Sequence, residues 1–171
     1  MQIGIIEPQD FSLKALALLS DLGNVSKFES GTIEDFLVDK EIVFVRLNYY
    51  LDTYILSNAN KLKYICTPTT GLNHLDLDYL NKNKIKVISL KGEFDFLSDI
   101  RATSEHTFGL ILSLLRNYKN AISTTKENFS RDLYKGDEIF NNSIGIIGFG
   151  RIGKLLAKYI EAFNGNCFFY D

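Results

Sequence analysis

The sequence predicts an α/β protein built on a parallel β-sheet. Two observations carry this prediction: short apolar segments alternate with helical segments through the first ninety residues, and a glycine-rich turn later joins a strand directly to a helix. Such alternation is typical of a parallel sheet with helices on both faces. The chain has 171 residues, of which 46% are hydrophobic, so it is long enough and apolar enough to form a folded core.

The elements of the first ninety residues follow from the apolar pattern. Strands are predicted where β-branched and aromatic residues form short runs, and helices where apolar residues recur at helical spacing. Thr32 is placed to cap the second helix, with Asp35 three residues later. The predicted strands cover residues 2–7, 25–28, 41–45, 63–67 and 85–90, and the predicted helices cover residues 10–22, 32–39, 52–59 and 75–81.

The pattern breaks over residues 91–100, where we place a domain boundary or hinge. The longest helical signal follows, from Thr103 to about Lys126, with Thr103 or Ser104 as its cap and Glu105 in its first turn. The apolar face of this helix contains Phe108, Ile111, Leu112, Leu115 and Ile122. After a polar segment, residues 128–142, the sequence predicts a strand over 143–148, a helix over 152–163 and a strand over 167–170.

Charge and cysteine content argue against several classes of function. The 19 basic and 21 acidic residues give a net charge of −2, which argues against nucleic acid or an anionic membrane as a partner. No segment reaches the ~18 apolar residues of a membrane span. Cys66 and Cys167 match no metal spacing and no disulfide framework, so we expect two reduced thiols, no metal site and a cytoplasmic protein.

The most specific feature is the turn that contains Gly148, Gly150 and Gly153. It has the context that dinucleotide binding requires, namely a buried strand before it, an amphipathic helix after it and then a second apolar strand. Gly148 permits a tight turn, Gly150 lets the backbone approach a pyrophosphate, and Gly153 lets the helix pack closely against the strand. The alternative is a glycine turn that is required only for packing.

The residues after this turn predict which dinucleotide binds. The backbone amides of Arg151 and Ile152 would open the helix, where unpaired N–H groups and the helix dipole favour an anion. Asp171 lies 18 residues after Gly153, close to the spacing of about 20 that is typical of the ribose-binding carboxylate. This carboxylate can accept hydrogen bonds from ribose hydroxyls and would repel a 2′-phosphate, so the sequence predicts NAD rather than NADP.

Four segments, taken in order, carry a family resemblance. They are TGLNHLD at residues 70–76, SEHT at 104–107, GDEI at 136–139 and GIIGFGRIG at 145–153. Together they resemble the D-isomer-specific 2-hydroxyacid dehydrogenases, of the phosphoglycerate dehydrogenase-like kind. Ser104 replaces the usual alanine, and Tyr134 lies near the place of a usual tryptophan. These departures bear only on the subfamily.

The resemblance implies a flavodoxin-like substrate domain over residues 1–98. Over residues 99–171 it implies a linking helix and the first β-α-β unit of a Rossmann dinucleotide-binding domain. The implied activity is hydride transfer between NAD and a small 2-hydroxy or 2-oxo acid. The family's catalytic arginine, carboxylate and histidine are expected beyond Asp171, so we expect a truncated chain that is inactive on its own. A non-catalytic NAD-sensing module with the same fold is the alternative.

The resemblance also assigns roles to individual residues. The backbone N–H groups of Thr70 and Gly71 would hold the substrate carboxylate, with an ordinary turn as the alternative, and Thr107 joins the cofactor-binding residues. Arg46, at a strand end, either reaches a distal anionic group of the substrate or is a surface arginine. We interpret His74 as a surface or packing residue and His106 as a structural or cofactor-adjacent one. The long helix is expected to form a homodimer interface through its apolar face.

Overall fold

The computed structural model describes residues 1–124 and 132–171. Within them the chain forms two compact units, Met1–Phe94 and Asp95–Asp171. The domain boundary that the sequence places after residue 98 stays a prediction. No helix of the described part is long and apolar enough to cross a membrane.

The first unit is a five-stranded parallel sheet with helices between successive strands. Its elements are β1 (Gln2–Ile5), α1 (Leu13–Leu22), β2 (Asn24–Lys27), α2 (Ile33–Leu37), β3 (Ile42–Phe44), α3 (Thr53–Leu56), β4 (Tyr64–Thr67), α4 (Leu77–Lys82) and β5 (Lys86–Ser89). The strands lie in the order β2-β1-β3-β4-β5, and every neighbouring pair is parallel. This is the flavodoxin-like order, so the predicted fold is confirmed.

The main core of this unit lies on one face of the sheet, against α2, α3 and α4. Val43 and Ile65 of the central strands are fully buried there, together with Leu37, Leu56 and Leu80 of the three helices. Each such side chain contributes about 1.5–3 kcal/mol to the stability of the fold when it is fully buried. The predicted strands and helices therefore pack together around one continuous core.

The opposite face of the sheet is covered less completely. Phe44, Cys66 and Ile88 point to this side, and with Ala15 of α1 they help to line a cavity of about 560 Å³. No residue of α1 is buried, and Ile88 is 56% exposed. One face of the sheet is thus well packed, and the other is only partly covered.

Side-chain caps explain where the helices of this unit begin. Ser12, Thr32, Asp52 and Asp76 each accept a hydrogen bond from the amide three residues later. The predicted Thr32 cap is confirmed, with Asp35 as its partner. The prediction that the first helix begins at residue 10 is wrong, because Asp10 has a left-handed φ of 57° and Ser12 caps α1 instead.

The second unit contains a helical segment followed by a two-stranded parallel sheet. Its elements are α5 (Phe94–Ser98), which begins at the division between the units, α6 (Ala102–Leu115), α7 (Tyr118–Thr124), β6 (Ser143–Ile147), α8 (Arg151–Ala162) and β7 (Asn166–Tyr170). β6 and β7 pair in parallel, with α8 as the connection between them. This is the β-α-β unit that the sequence predicts. The short helix α5 occupies the segment in which the sequence predicts a break.

The core of the second unit lies between α8, β6 and α6. Leu156 and Ile160 of α8 are buried there with Ile146 of β6. The α6 residues that pack against this core are Phe108, Ile111, Leu112 and Leu115. These residues belong to the face that we expected to form the homodimer interface. Because that face packs inside the unit, this detail of the prediction is wrong.

The predicted long helix is two helices. Asn117 has a φ of 53°, so the chain leaves the right-handed helical region between α6 and α7. Asparagine adopts this conformation more readily than most residues. The helix can therefore end here without the glycine or proline that would mark a break in the sequence. The predicted caps are also wrong, because Thr103 and Ser104 lie inside the first turn of α6. The predicted end at Lys126 lies outside the described residues.

Candidate functional site

A buried carboxylate organises the carboxyl edge of the first sheet. Glu7 follows β1, and Arg46 follows the neighbouring strand β3, at the point where the strand order reverses and ligands bind in such sheets. The Glu7 carboxylate accepts hydrogen bonds from the backbone amide of Arg46 and, at 3.2 Å, from that of Asn48. The Arg46 Nε lies 4.0 Å from Glu7 Oε1. Glu7 thus fixes the loop that carries the arginine.

Arg46 and the start of the next loop border one cavity. This cavity has a volume of about 270 Å³ and is lined by Glu7, Arg46, Leu47, Asn48, Pro68 and Thr69. The guanidinium-bearing side chain is 43% exposed, so it remains available to a ligand. Thr70 and Gly71 follow directly in the chain but do not line the cavity. The structure therefore brings Arg46 close to the predicted carboxylate loop without placing all three residues on one surface.

The loop after β4 presents backbone groups that have no protein partner. Among the described residues, no acceptor pairs with the amides of Thr70 and Gly71, and both residues are exposed. A Cβ atom added to Gly71 would meet no heavy atom within 4 Å. Packing therefore does not explain the glycine, and the space around it is open to a ligand. Successive unpaired amides of this kind suit an anion.

His74 lies beneath this loop and is buried, so it is not the surface residue that the sequence allows. Its Nε2 lies 3.3 Å from Thr67 Oγ1, and its Nδ1 has no hydrogen-bond partner in the described structure. Burial lowers the pKa of His74, and the negative charge of Glu7 opposes this shift. The imidazole is therefore held in its neutral form near neutral pH.

The glycines of the nucleotide turn differ in what surrounds them. Gly148 has a φ of +91°, which few other residues adopt. A Cβ on Gly153 would lie 2.3 Å from the carbonyl oxygen of Gly148, so only glycine lets α8 approach the turn this closely. A Cβ on Gly150 would meet nothing within 4 Å. The protein itself does not need Gly150, which leaves room for a ligand against its backbone.

The N-terminus of α8 is open. Gly150 occupies the cap position and has no side chain to fill it. Among the described residues, no acceptor pairs with the amides of Arg151 and Ile152. The Asp171 carboxylate lies beside the turn, where Oδ1 accepts a hydrogen bond of 3.0 Å from the Phe149 amide. Free amides, a glycine with open space where a side chain would be and a nearby carboxylate together fit the pyrophosphate and ribose of a dinucleotide.

Two further predicted cofactor residues, Arg151 and Thr107, have hydrogen-bond partners that the sequence did not reveal. The Arg151 guanidinium donates from Nη1 to the carbonyl oxygens of Ile100, at 2.7 Å, and Leu97, at 3.3 Å. The hydroxyl of Thr107 donates to the Thr103 carbonyl of its own helix at 2.8 Å. The structure thus brings Arg151 and Asp171 to the turn, while the side-chain hydrogen bond of Thr107 within the described residues is internal to α6.

In the described part of the chain, the cysteines form no reactive thiol site, and the cysteines, histidines and acidic residues form no metal site. Burial raises the pKa of the Cys66 thiol to about 11, so it remains protonated and unreactive near neutral pH. Burial also raises the pKa of the Cys167 thiol. No group of three or more His, Cys, Asp and Glu side chains is arranged to hold a metal ion in residues 1–124 and 132–171.

Sequence reasoning missed several residues of the candidate site. Glu7 and Thr67 are single polar residues at the ends of apolar strands, and Thr69 directly precedes the TGLNHLD segment. The signal for Glu7 was available in principle, because a charged residue followed by Pro8 ends a strand at the ligand-binding edge. The contacts of Glu7 depend on β3 becoming the neighbour of β1, whereas those of Thr67 and Thr69 are made within residues 67–74, where the loop after β4 folds back on its own strand.

Comparison with known proteins assigns the family. The model of the catalytic domain of D-isomer specific 2-hydroxyacid dehydrogenases matches residues 11–136, and the model of the NAD-binding domain of the same family matches residues 108–171. The D-3-phosphoglycerate dehydrogenase of Mycobacterium bovis is 30% identical over 134 residues, which are 78% of this chain and 24% of that protein. The enzyme of the same name from Methanocaldococcus jannaschii is 28% identical over 161 residues, 92% of this chain and 30% of its own length.

A solved structure supports the same assignment. The D-lactate dehydrogenase from Aquifex aeolicus, in complex with NAD and lactic acid, superposes with a TM-score of 0.86 and 30% sequence identity. The match covers 100% of this chain and 51% of the dehydrogenase chain, so this chain spans about half of that enzyme and about a quarter of the curated relatives. The match to the NAD-binding domain identifies NAD as the cofactor. The chain belongs to the D-isomer specific 2-hydroxyacid dehydrogenase family.

Proposed function

We propose that this chain provides the substrate-binding part and the beginning of the NAD-binding part of a dehydrogenase that interconverts a 2-hydroxy acid and a 2-oxo acid. The observation that carries the proposal is the open N-terminus of α8. There a Cβ on Gly150 would meet no heavy atom within 4 Å, and the amides of Arg151 and Ile152 have no protein acceptor in the described residues. These groups would hold the pyrophosphate, and Asp171 would accept from the ribose hydroxyls.

The first unit would bind the acid. The amides of Thr70 and Gly71 would donate to its carboxylate, and Arg46 would pair with a distal anionic group where the substrate carries one. The buried carboxylate of Glu7 supports this role, because it holds the backbone of Arg46 and Asn48 and lies beside the guanidinium. Thr107 is kept as a proposed cofactor residue, and its internal hydrogen bond would have to be exchanged for one to the ligand.

The chemical step needs groups that we place outside residues 1–171, in the part of the longer relatives that this chain does not span. NAD supplies the hydride acceptor or donor when it is bound. The residues of this chain bind and orient the two reactants. The 171-residue chain alone is expected to show no turnover with NAD and a panel of 2-hydroxy acids, followed by NADH absorbance. Measurable turnover would contradict this expectation and would make exposed His106 a candidate acid/base group.

NAD binding to the 171-residue chain tests the proposed function directly. Gly150→Ala adds a methyl group where a ligand is expected, so calorimetry should show about a tenfold or greater loss of NAD affinity. Gly145→Ala is the matched control, because a Cβ there also meets nothing within 4 Å but lies in β6, away from the turn. Equal NAD affinity in the two variants would overturn the assignment of the turn.

The preference for NAD over NADP has a separate test. A 2′-phosphate would meet the negative charge of Asp171, and like charges held close together cost several kcal/mol in a partly desolvated site. Asp171→Asn keeps an oxygen acceptor and removes the charge. The Asp171→Asn variant should therefore show a smaller ratio of NAD affinity to NADP affinity than the wild-type chain, measured by calorimetry. An unchanged ratio would show that Asp171 does not select the cofactor.

We further propose a homodimer and a cytoplasmic location. Leu110 and Leu114 lie one turn apart on α6, outside the face that packs against α8, and are 57% and 82% exposed. They supply an apolar contact in place of the face first expected. The thiols of Cys66 and Cys167 are both unpaired, which supports a reducing compartment. Cell fractionation of a tagged chain would check the location.

A further inference from the structure

A chain of hydrogen bonds runs from buried His74 to the carboxylate loop. His74 Nε2 lies 3.3 Å from Thr67 Oγ1, which lies 3.0 Å from Thr69 Oγ1. The hydroxyl of Thr69 donates in turn to the carbonyl oxygen of Gly71 at 2.8 Å. His74 and Thr67 are 7% and 4% exposed, so water has little access to the hydrogen bond between them. The outer end of this hydrogen-bond network is the loop that carries the unpaired amides.

The number of hydrogens available fixes the donor and the acceptor of every hydrogen bond in this network. A carbonyl oxygen only accepts, so the single hydroxyl hydrogen of Thr69 is used on Gly71. Thr69 Oγ1 must then accept from Thr67, whose one hydrogen is used in this way. Thr67 Oγ1 can therefore only accept from His74, which requires the hydrogen on Nε2. The network is satisfied by one tautomer of the neutral imidazole, in which Nδ1 carries no hydrogen.

Two attachments together would fix the orientation of the loop amides. The carbonyl oxygen of Thr69 accepts a hydrogen bond of 3.1 Å from the Leu90 amide. Because a trans peptide is planar, the N–H of Thr70 must point the opposite way, away from β5. The Gly71 carbonyl is held by Thr69 Oγ1, and this bond restrains the residue with the greatest backbone freedom in the loop. The histidine end is itself fixed, since the His74 carbonyl accepts from the Leu51 amide at 2.9 Å.

We propose that His74 is a positioning residue that holds the Thr69–Gly71 loop, through Thr67 and Thr69, in the conformation that presents the Thr70 and Gly71 amides to an anion. The use of that anion site for a substrate carboxylate rests on the proposed function. His74 does not touch the ligand in this proposal. A positioning role gives a reason for burying the His74 imidazole although its Nδ1 has no hydrogen-bond partner among the described residues, which is uncommon and costly for a polar group.

The first test needs no ligand. The chain has only two histidines, so ¹⁵N–¹H correlation of the imidazole rings identifies the tautomer of each, and His106→Gln assigns the signals by removing the exposed one. We expect His74 to show a proton bound to Nε2 that exchanges slowly with water, and Thr67→Val to make that exchange fast. A proton on Nδ1, or a ring signal that titrates like that of His106, would overturn the proposal.

The second test measures anion binding, with pyruvate as the probe and the Thr70 and Gly71 amide signals as the readout. His74→Leu should weaken pyruvate binding about fivefold to tenfold, the equivalent of one lost hydrogen bond. His74→Gln keeps an N–H donor near the Nε2 position and should restore most of the affinity. Thr67→Val, which preserves shape, should match His74→Leu, and the double variant should lose no more than either. Equal affinities for the Leu and Gln variants would overturn the proposal.

The failure of the proposed function remains distinguishable from the failure of this inference. If pyruvate shifts neither loop amide in the wild-type chain, the carboxylate assignment is wrong. The role of His74 is then decided by amide hydrogen exchange of residues 70–72 in the free chain. We expect His74→Leu and Thr67→Val to accelerate exchange there while His74→Gln and Thr67→Ser do not. Uniform exchange rates across the four variants would overturn the positioning role.

Discussion

At the scale of single residues, Gly153 is required because the backbone of Gly148 leaves no room for a methyl group at this position. A Cβ at this position would lie 2.3 Å from the backbone oxygen of Gly148, and backbone cannot rotate away as a side chain can. Gly153→Ala is therefore expected to destabilise the chain by about 1–3 kcal/mol. Gly150→Ala, which meets no protein atom, should stay within about 0.5 kcal/mol of wild type. Urea denaturation of the two variants checks the contrast, and equal losses would contradict it.

His74 predicts a pH dependence of stability whose sign follows from burial. The pKa of His74 is lowered in the folded chain, so the unfolded chain binds a proton more readily, beginning near its ordinary pKa of 6.5. The contribution of His74 is therefore fully present above about pH 6.5 and is lost as the pH falls through the lower, folded pKa. His74→Gln cannot titrate and should remove this part of the decline.

The measurement is the free energy of unfolding in urea between pH 7.5 and pH 5 for the wild-type chain and His74→Gln. Other groups, such as the Asp76 carboxyl with its lowered pKa, contribute equally to both proteins. The difference between the two curves therefore isolates the histidine. A constant difference across the pH range would show that His74 titrates alike in the folded and unfolded chain.

At the scale of elements, Asn117 separates two helices that the sequence runs together. Its φ of 53° costs a β-branched residue about 1–2 kcal/mol, whereas glycine adopts it freely. Asn117→Val should lower the stability of the chain by roughly that amount, and Asn117→Gly should leave it nearly unchanged. Thermal unfolding followed by circular dichroism compares them. A more stable Asn117→Val variant would mean that α6 and α7 can form one continuous helix.

The strands and the nucleotide turn were predictable because local rules and tertiary contacts agree there. β4 is observed over Tyr64–Thr67 against a predicted 63–67, and Gly148 and Gly153 have the backbone and packing constraints that the motif requires. The end of α6 was not predictable in the same way. An apolar pattern continues past Asn117 to Ile122, and only the backbone conformation of one residue divides it.

In the carboxylate site, the residues expected to touch the ligand could be predicted from the sequence, but the contacts that hold them in place could not. The glycine of the loop is visible in the sequence, but the residues that hold the loop are not. Glu7 looks like an isolated polar residue until β1 and β3 become neighbours. His74 stands in the TGLNHLD segment, but its burial and its contact with Thr67 are not visible there. The contacts of Glu7 depend on the order of the strands, whereas the His74–Thr67–Thr69–Gly71 network lies within residues 67–74 and depends on how the loop after β4 folds back on that strand.

At the scale of the whole molecule, association is the property that the exposed surface predicts. Leu114 is 82% exposed on α6, and burial of such side chains is the usual driving force for two-fold contacts. Leu114→Glu should shift the chain from dimer to monomer, because a charge would be buried without a partner. Light scattering over a range of protein concentrations measures the mass.

Leu13→Glu is the matched control for this prediction. Leu13 is 83% exposed, almost the same as Leu114, but it lies on α1 in the other compact unit. If α6 forms the interface, Leu13→Glu leaves the mass of a dimer unchanged while Leu114→Glu halves it. If both substitutions reduce the mass equally, exposed apolar surface drives association without a defined interface. A monomer at every concentration in the wild-type chain would show that Leu110 and Leu114 do not join two copies of residues 1–171, and the dimer proposal would fail for this chain.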